Sequence, residues 1–284
     1  MPRALFSVVW TVALLAFAFA HGVSGQAGPF SWENATELSF VSSSGNSSSN
    51  TLGLKSSLDG SNDVSSFKLE IGGIRASSSF TTRTAVGTMD AFVVSEETRT
   101  EQSAANYFAR SRYTRDIGAV FGFGGVGWER NTFSGMNHRF SLVGGLGRTW
   151  VESDAARLKT DLGGTYTIQR DIEEDPTRDD GFAGLRATIE ATRSLTATTD
   201  LATTLVVDEN LMETDDLRLD WVASITVALT EGLAFKTSYQ VLFDDLPALV
   251  AVPLFDGVGA PAGQVLVPSS TVDSFLTLSL VIKL

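Results

Sequence analysis

The feature that most constrains the fold is a strict alternation of apolar and polar residues over long segments. In VDSFLTLSLVIKL (272–284), apolar residues fall on every second position from Leu276 to Leu284, with Thr277, Ser279 and Lys283 between them. A period of two is the signature of a β-strand with one apolar face. Segments of this kind recur twelve times, mostly over nine to fourteen residues, at about 30–42, 50–58, 64–75, 102–113, 117–128, 137–150, 157–170, 181–193, 199–208, 216–229, 232–243 and 271–284.

The connections between these segments alternate in length. Connections after even-numbered segments are short, as at Asp59–Asp63 and Thr114–Asp116, whereas most of the others are longer, as at Ala76–Glu101 and Asp244–Thr271. Nine or more residues suit a tilted strand that crosses a bilayer, and short turns at one end with long loops at the other are typical of outer-membrane barrels. A soluble β-sandwich has shorter strands. The sequence therefore predicts one all-β domain, an antiparallel transmembrane β-barrel of about twelve strands with both termini on the periplasmic side.

The first residues have the composition of a secretory signal peptide. A single positive charge at Arg3 precedes an apolar run from Ala4 to Ala20, and small residues follow. This order predicts an exported protein with a signal peptide at 1–25, cleaved after Gly25 or alternatively after Ala27, and a mature barrel at 26–284. The alternative, a membrane anchor, needs a longer apolar run.

Composition excludes several kinds of site. The chain has no cysteine and a net charge of −12, which argues against disulfides, thiolate sites and nucleic-acid partners. Outside the signal peptide only His138 remains, so a zinc site with two or three histidines is excluded. No cofactor is expected.

The glycine-rich stretch VFGFGGVGWER (120–130) contains the spacing Gly122-x-Gly124-x-x-Gly127 of dinucleotide-binding loops. That motif requires a helix directly after it, and another alternating segment follows instead. In a barrel, the alternation predicts Ile117, Ala119, Phe121 and Phe123 towards lipid, and Gly118, Gly122, Gly124 and Trp128 towards the lumen.

Charged residues on the polar faces of the segments are expected to line the lumen, because lysine or arginine at mid-bilayer costs about 2–4 kcal/mol. They form either a ladder of cross-strand ion pairs that fills the barrel or the wall of a polar pore. The candidates are Glu33, Glu37, Lys55, Lys68, Glu70, Arg110, Arg112, Arg139, Lys159, Asp161, Arg186, Glu190, Arg218, Asp220, Lys236, Asp273 and Lys283.

Acidic residues are concentrated in the long loops, chiefly in 171–180 and 208–216 and at Asp244, Asp245 and Asp256. A solvated outer surface explains them. Binding of divalent cations, which prefer carboxylate oxygens and could bridge to lipopolysaccharide phosphates, is the functional alternative. The candidate ligands are Asp171, Glu173, Glu174, Asp175, Asp179 and Asp180.

Aromatic residues lie mostly near the ends of the predicted strands, where they would form girdles at the two membrane interfaces. They are Trp32, Tyr107, Tyr113, Trp128, Trp150, Tyr166, Trp221 and Tyr239.

An enzymatic alternative depends on His138. As a general base at the outer rim it would serve a lipid hydrolase or acyltransferase, with Ser134 or Ser141 as nucleophile and Glu129 as orienting acid. No nucleophile motif supports this hypothesis, so a non-enzymatic protein is expected.

Several motifs resemble the DUF481 family, also described as YdiY-like or salt-induced outer membrane proteins. They are Trp32-Glu33 followed by Ser44-Gly45-Asn46, the turn WERNTFSG (128–135) followed by Arg139, Gly145-x-Gly147, and Leu158…Asp161-x-Gly163. Asn131 stands where the family pattern usually has aspartate. The resemblance implies an outer-membrane barrel and gives no catalytic residue.

These observations together predict a porin-like protein of the Gram-negative cell outer membrane, with a structural or passive-transport role and an implied link to salt or osmotic stress. The alternatives are a solute-specific channel that favours anions, a lipid-modifying enzyme and a cation-binding surface protein. The expected partners are outer-membrane lipids, lipopolysaccharide, small solutes and the barrel-assembly machinery. That machinery reads a terminal strand, which here ends in Leu284 rather than in an aromatic residue.

Overall fold

The structure is a computed structural model that describes residues 28–43, 47–88, 91–175, 178–255 and 260–283. The predicted signal peptide, 1–25, lies outside these residues. In the described part of the chain, no helix has the length and apolar character that a membrane crossing would need.

Twelve strands form one closed antiparallel barrel, which confirms the predicted fold and strand number. Each strand pairs with its neighbour in sequence, and the first and last strands pair to close the barrel. The barrel strands are β1 (Ser31–Ser43), β2 (Ser47–Ser61), β3 (Ser65–Thr88), β4 (Ala91–Ile117), β5 (Val120–Asn131), β6 (Met136–Glu152), β7 (Ala156–Asp171), β8 (Gly181–Thr196), β9 (Thr199–Asn210), β10 (Leu217–Thr230), β11 (Leu233–Asp244) and β14 (Val272–Lys283).

Alternation along each strand separates two surfaces. On β14, Leu276, Leu278 and Leu280 are exposed on the outer surface, whereas the alternate residues Ser279 and Val281 are buried. Most other exposed apolar side chains of the strands share the outer surface, and charged side chains meet one another on the inner one. Apolar residues outside and polar residues inside are the arrangement of a transmembrane barrel.

Two of the predicted long loops contain strands that were not predicted from the sequence. Residues 76–88 and 91–101 continue β3 and β4, which pair beyond the rest of the barrel as far as Thr88 opposite Ala91. Within 244–271, β12 (Leu249–Phe255) and β13 (Pro261–Pro268) form a separate two-stranded sheet. Their Ser/Thr-rich or Gly/Pro-containing sequences lack the lipid-facing alternation used to find strands.

The predicted faces of β5 are also wrong. Phe121 and Phe123 are only 3% and 7% exposed and lie on the inner face, whereas Gly122 and Gly124 lie on the outer face. The error comes from the turn, which was predicted at Thr114–Asp116 and is in fact Gly118-Ala119. Gly118 adopts a positive φ of 71°, which suits glycine in a two-residue hairpin turn.

Aromatic residues do lie on the outer surface near the strand ends. Trp32, Tyr113 and Trp150 are exposed towards the short-turn end, and Tyr166, Trp221 and Tyr239 towards the other. Trp128, predicted to face the lumen, has the outer orientation with them, because its neighbours Gly127 and Glu129 share the inner face with Arg110 and Arg139.

Candidate functional site: the lumen and its outer mouth

An ion pair in the lumen joins strands that are not neighbours. Arg112 on β4 reaches across the inner face of β5 and β6 and donates from Nη2 to Asp161 Oδ2 on β7, at 2.7 Å. Its guanidinium lies over the ring of Phe123, 3.9 Å from the centroid. Asp161 is 8% exposed, so the carboxylate is shielded from bulk water and depends on Arg112 for its charge balance.

Glycines make room for this bridge. A Cβ on Gly147 would lie 2.3 Å from the ring of Phe121 and 2.7 Å from Asp161 Cβ, and one on Gly163 would lie 3.0 Å from the ring of Phe123. The two phenylalanines of β5 therefore lie over glycines of β6 and β7. The inward glycines serve close packing of rings and not phosphate binding.

Further ion pairs lie on the inner face of β2, β3 and β4, on the other side of Arg112 from Asp161. The carboxylate oxygens of Glu70 lie 2.8 Å from Arg110 Nε, 3.0 Å from Lys55 Nζ and 3.6 Å from Lys68 Nζ. Asp220 lies on β10, on the wall of the barrel opposite β4 and Arg110. Asp220 accepts a hydrogen bond from Gln240 Nε2 at 2.8 Å.

The pair of Lys236 and Glu37 spans a strand in the same manner as Arg112 and Asp161. Lys236 on β11 donates to Glu37 on β1 at 2.8 Å, across the small Ser279 of β14. It therefore ties together the three strands at which the barrel closes.

Three arginines line one small cavity in the outer part of the lumen. Arg186 holds Asp208 through two hydrogen bonds of 2.7 and 2.9 Å. Arg218 pairs with Asp216 and with Asp244, whose carboxylate lies 3.7 Å away. The prediction that the acids of 208–216 and Asp244 belong to the outer rim therefore missed their contact with lumen arginines.

Arg139 differs from the other two arginines of this cavity. Its Nε donates to the neutral Gln169 Oε1 at 2.8 Å, and no carboxylate lies within ion-pair distance among the described residues. Beyond this hydrogen bond, Arg139 is repelled by Arg218 and attracted by Glu129, Asp244 and Asp208. Among the three arginines of this cavity, Arg139 is therefore the one with a neutral side-chain partner.

The turn between β5 and β6 folds into the outer mouth. Asn131 is 1% exposed and accepts a hydrogen bond from Phe133 N at 3.1 Å, while Thr132 Oγ1 bonds both backbone groups of Ala105 on β4. Phe133 then packs edge-on against Phe275 of β14, on the far side of the barrel, with centroids 5.4 Å apart. The motif WERNTFSG is thus a structural cap over the lumen, and asparagine supplies the oxygen that aspartate would supply.

Two other loops fix this turn in place. Gly135 has a positive φ of 73°, and a Cβ there would lie 2.9 Å from Ala248 Cβ. Its carbonyl accepts from Ile172 N at 2.8 Å. Arg178 Nη1 donates to Leu246 O at 3.0 Å and so joins the β7–β8 loop to the segment before β12. The mouth is therefore covered by backbone from three loops.

The remaining predicted lumen residues share the inner face but make fewer contacts. Lys159 lies over the ring of Phe121 at 5.4 Å and stands opposite Glu190 in the β7–β8 register. Inner positions are also held by Glu33, Asp273 and Lys283.

The acidic loop 171–180 uses several of its carboxylates internally. Asp180 lies 3.3 Å from Arg170, Asp175 lies 3.4 Å from Arg178, and Asp171 accepts from Gln169 at 2.8 Å. In the part of the chain that the structure describes, no three acidic or histidine side chains converge as metal ligands would. Glu173, Glu174 and Asp179 thus join no such group.

The residues of the enzymatic alternative are not brought together. The His138 ring lies 6.1 Å from that of Trp128 on the outer face, whereas Ser141 and Glu129 belong to the inner face. Ser134 Oγ donates to Asn131 O at 3.4 Å within the turn.

Fold and lumen together define a transmembrane β-barrel whose interior is crossed by ion pairs and aromatic rings. The chain belongs to the DUF481 family, described as a protein of unknown function, whose model matches residues 36–249. No curated protein matches the sequence.

Solved barrels are similar in fold only. The NanC porin has 9% identity and a TM-score of 0.46, with 89% of this chain and all of that chain covered. An anion-selective porin from Comamonas acidovorans has 11% identity and a TM-score of 0.38, with 91% and 100% covered. The outer membrane protein OmpT of Vibrio cholerae has 10% identity and a TM-score of 0.39, with 90% and 97% covered.

Proposed function

We propose that this protein resides in the bacterial outer membrane as a barrel with an occluded lumen, and that it has a structural role with at most slow passive passage of small solutes. The Arg112–Asp161 bridge is the observation that carries this proposal, because it places an ion pair with a buried carboxylate and the Phe123 ring across the inner face of two strands. The bridge thus occupies space across the lumen wall that an open pore would leave free.

The location rests on the apolar outer surface, the aromatic residues near both ends and the predicted signal peptide. Lipids and lipopolysaccharide would surround the barrel, and the assembly machinery would insert it by its last strand. Fractionation of a Gram-negative host tests this: the mature protein is expected in the outer-membrane fraction, and recovery in the soluble periplasm would refute the location.

Conductance in planar bilayers tests the occluded lumen. The wild-type protein is expected to give no steady channel steps. The double variant Arg112→Ala/Asp161→Ala is expected to conduct intermittently, since it removes the bridge without leaving a lone charge. Arg170→Ala, which alters an exposed pair outside the lumen, is the matched control. Large, steady steps from the wild type that the double variant leaves unchanged would exclude the proposal.

A channel that favours anions is the second candidate, and Arg139 is the observation that favours it. Arg139 has a neutral side-chain partner in a cavity with two further arginines. Reversal potentials across a potassium chloride gradient would then show anion preference in any conducting variant, and Arg139→Gln would reduce that preference. An unchanged reversal potential would remove this candidate.

The proposal includes a role under salt stress, which the resemblance to the DUF481 family supports. Ion pairs that reach water are weakened by salt, and Arg110 and Lys68 beside Glu70 are about half exposed. A deletion strain is expected to grow poorly at high salt and to recover with the wild-type gene. Equal growth of both strains would remove this part.

We also propose that the role is non-enzymatic. The orientation of His138 beside Trp128, away from Ser141, supports this. Purified protein incubated with phospholipid or lipid A is expected to yield no product. A product that His138→Ala abolishes would establish the enzymatic alternative instead.

A further inference from the structure

The seam that closes the barrel is paired over a short distance only. Strands β1 and β14 pair from Ala35 opposite Lys283 to Leu38 opposite Leu280. Above that point β1 continues to Ser43 paired with β2, and β14 continues down to Val272 paired with β11. Among the described residues, 39–43 of β1 and 272–279 of β14 are therefore unpaired with each other on the long-loop side of the seam, and this unpaired stretch is called the notch.

Side-chain exposure marks the two edges of the notch. Leu276 on β14 is 68% exposed and Phe40 on β1 is 66% exposed, more than any other large apolar side chain described in the barrel strands. Ser39, the first residue of β1 beyond the paired part, directs its hydroxyl over Gly53 of β2. Both edges have thus lost the neighbour that a continuous seam would supply.

The notch lies near the outer aromatic rim, with aromatic side chains on both faces of the sheet beside it. Leu276 pairs with Tyr239, whose ring contacts Trp221 at the outer aromatic rim. The next residue towards the mouth, Phe275, faces inwards and contacts Phe133 of the mouth turn. Apolar side chains therefore border the notch on both faces of the sheet: Phe40 and Leu276 outside, and Phe275 with Phe133 inside.

We propose that this notch is a lateral opening that admits the alkyl chain of a single-chain amphiphile from the outer leaflet to the Phe133–Phe275 pair. Unpaired strand edges at membrane depth need water or a polar group, and an amphiphile brings a polar end together with an apolar chain. The Lys236–Glu37 pair beside Ser279 makes the inner side of the notch polar. This binding goes beyond the passage of small solutes.

Photochemical cross-linking tests the opening. The full chain is reconstituted in phospholipid vesicles that contain a diazirine-bearing fatty acid, and adducts are mapped by mass spectrometry. Adducts are expected at Phe275 or Phe133 as well as at Phe40 and Leu276. On the opposite wall they are expected at outward Leu185 and Ile189 but not at inward Thr188. Adducts restricted to outward residues on every strand would overturn the proposal.

A disulfide across the seam provides a second test of the opening. The chain has no cysteine, and Ser39 and Ser279 would be the next pair in the register above Leu38 and Leu280. Oxidised Ser39→Cys/Ser279→Cys is expected to reduce adducts at Phe133 and Phe275 to the level at Thr188. Thr36→Cys/Ile282→Cys, within the paired part, is the matched control and should leave them unchanged.

The remaining outcomes also decide the proposal. Inner adducts that persist in the oxidised Ser39→Cys/Ser279→Cys variant would mean that the chain enters elsewhere, which overturns it. Disulfide-linked dimers of a single Ser39→Cys variant in vesicles would assign the notch to a second copy of this chain and also overturn it. The conductance experiment is independent of both results, so failure here leaves the occluded lumen standing.

Discussion

The lumen is closed in two places by different means. In its interior, side chains close it: Arg112 and Asp161 pair beside the ring of Phe123, which packs against Gly163. At the mouth, backbone closes it: the turn after β5 folds inwards and Phe133 reaches Phe275. The interior closure is a charged contact that depends on a buried carboxylate, whereas the mouth closure is an apolar contact on a turn that other loops support. Substitutions that remove a charge should therefore affect the interior closure. Substitutions that change side-chain size at the turn should affect the mouth closure.

Loss of the interior carboxylate partner should have the largest effect. Arg112→Met leaves the buried Asp161 carboxylate without its cation and is expected to lower the free energy of unfolding by about 3 kcal/mol. Urea unfolding in detergent micelles measures this. Arg112→Met/Asp161→Leu should recover most of the loss, since two apolar groups replace the pair. A double variant as unstable as Arg112→Met would show that the charge is not the cause.

The inward glycines of β6 and β7 should be the next most sensitive positions to substitution. A Cβ on Gly145 would lie 2.2 Å from Leu162 O, whereas one on Gly164 meets nothing within 4 Å. Gly145→Ala is expected to lower the free energy of unfolding by about 2 kcal/mol through overpacking. Gly164→Ala, one strand away and directed outwards, should change it by less than about 0.5 kcal/mol. Similar losses in both variants would contradict the close packing of the inner face.

Release of the mouth should have a smaller energetic effect but a clear change in access. Phe133→Ala removes the ring contact with Phe275 and is expected to cost about 1 kcal/mol. A cysteine at Thr167, buried in the outer lumen cavity, should then react faster with a membrane-impermeant maleimide. Met212→Ala, at an exposed loop position, serves as the control. An unchanged labelling rate would mean that the turn does not limit access.

The exposed acidic loop should contribute least. Arg170 and Asp180 are both more than half exposed, and Arg170→Ala is expected to change the free energy of unfolding by less than about 0.5 kcal/mol. A loss comparable to that of Arg112→Met would mean that this loop supports the barrel more than its exposure indicates.

The sequence predicted the barrel and its strand number because lipid outside and charge inside impose a period of two on most strands. It failed on β5, where glycine and aromatic residues alternate and neither face is polar. Phe121 and Phe123 lie inwards because Gly147 and Gly163 lie beneath them on other strands, and that partnership is not local. One signal was available: a two-residue turn at Gly118-Ala119 places Gly125 opposite Arg112 and hence on the inner face.

The candidate site was predicted as a set of charged residues but not as an arrangement. Arg112 pairs with Asp161 by extending across β5 and β6, and the sequence does not show which carboxylate lies there. Asp208 and Asp244 were assigned to loops, although they contact lumen arginines. The inward fold of WERNTFSG depends on Ala105, Ala248 and Phe275, which lie far away in the sequence.

The most direct test of the orientation of the inner face is a spin-label scan of β5. Single cysteines at positions 121–126 carry a nitroxide in lipid vesicles, and collision rates with dissolved oxygen and with a water-soluble nickel complex are measured at each position. Labels at Gly122, Gly124 and Val126 are expected to meet oxygen from the lipid, and those at Phe121, Phe123 and Gly125 to be shielded from it. The opposite alternation, with the phenylalanine positions in lipid, would contradict the aromatic and charged closure of the lumen.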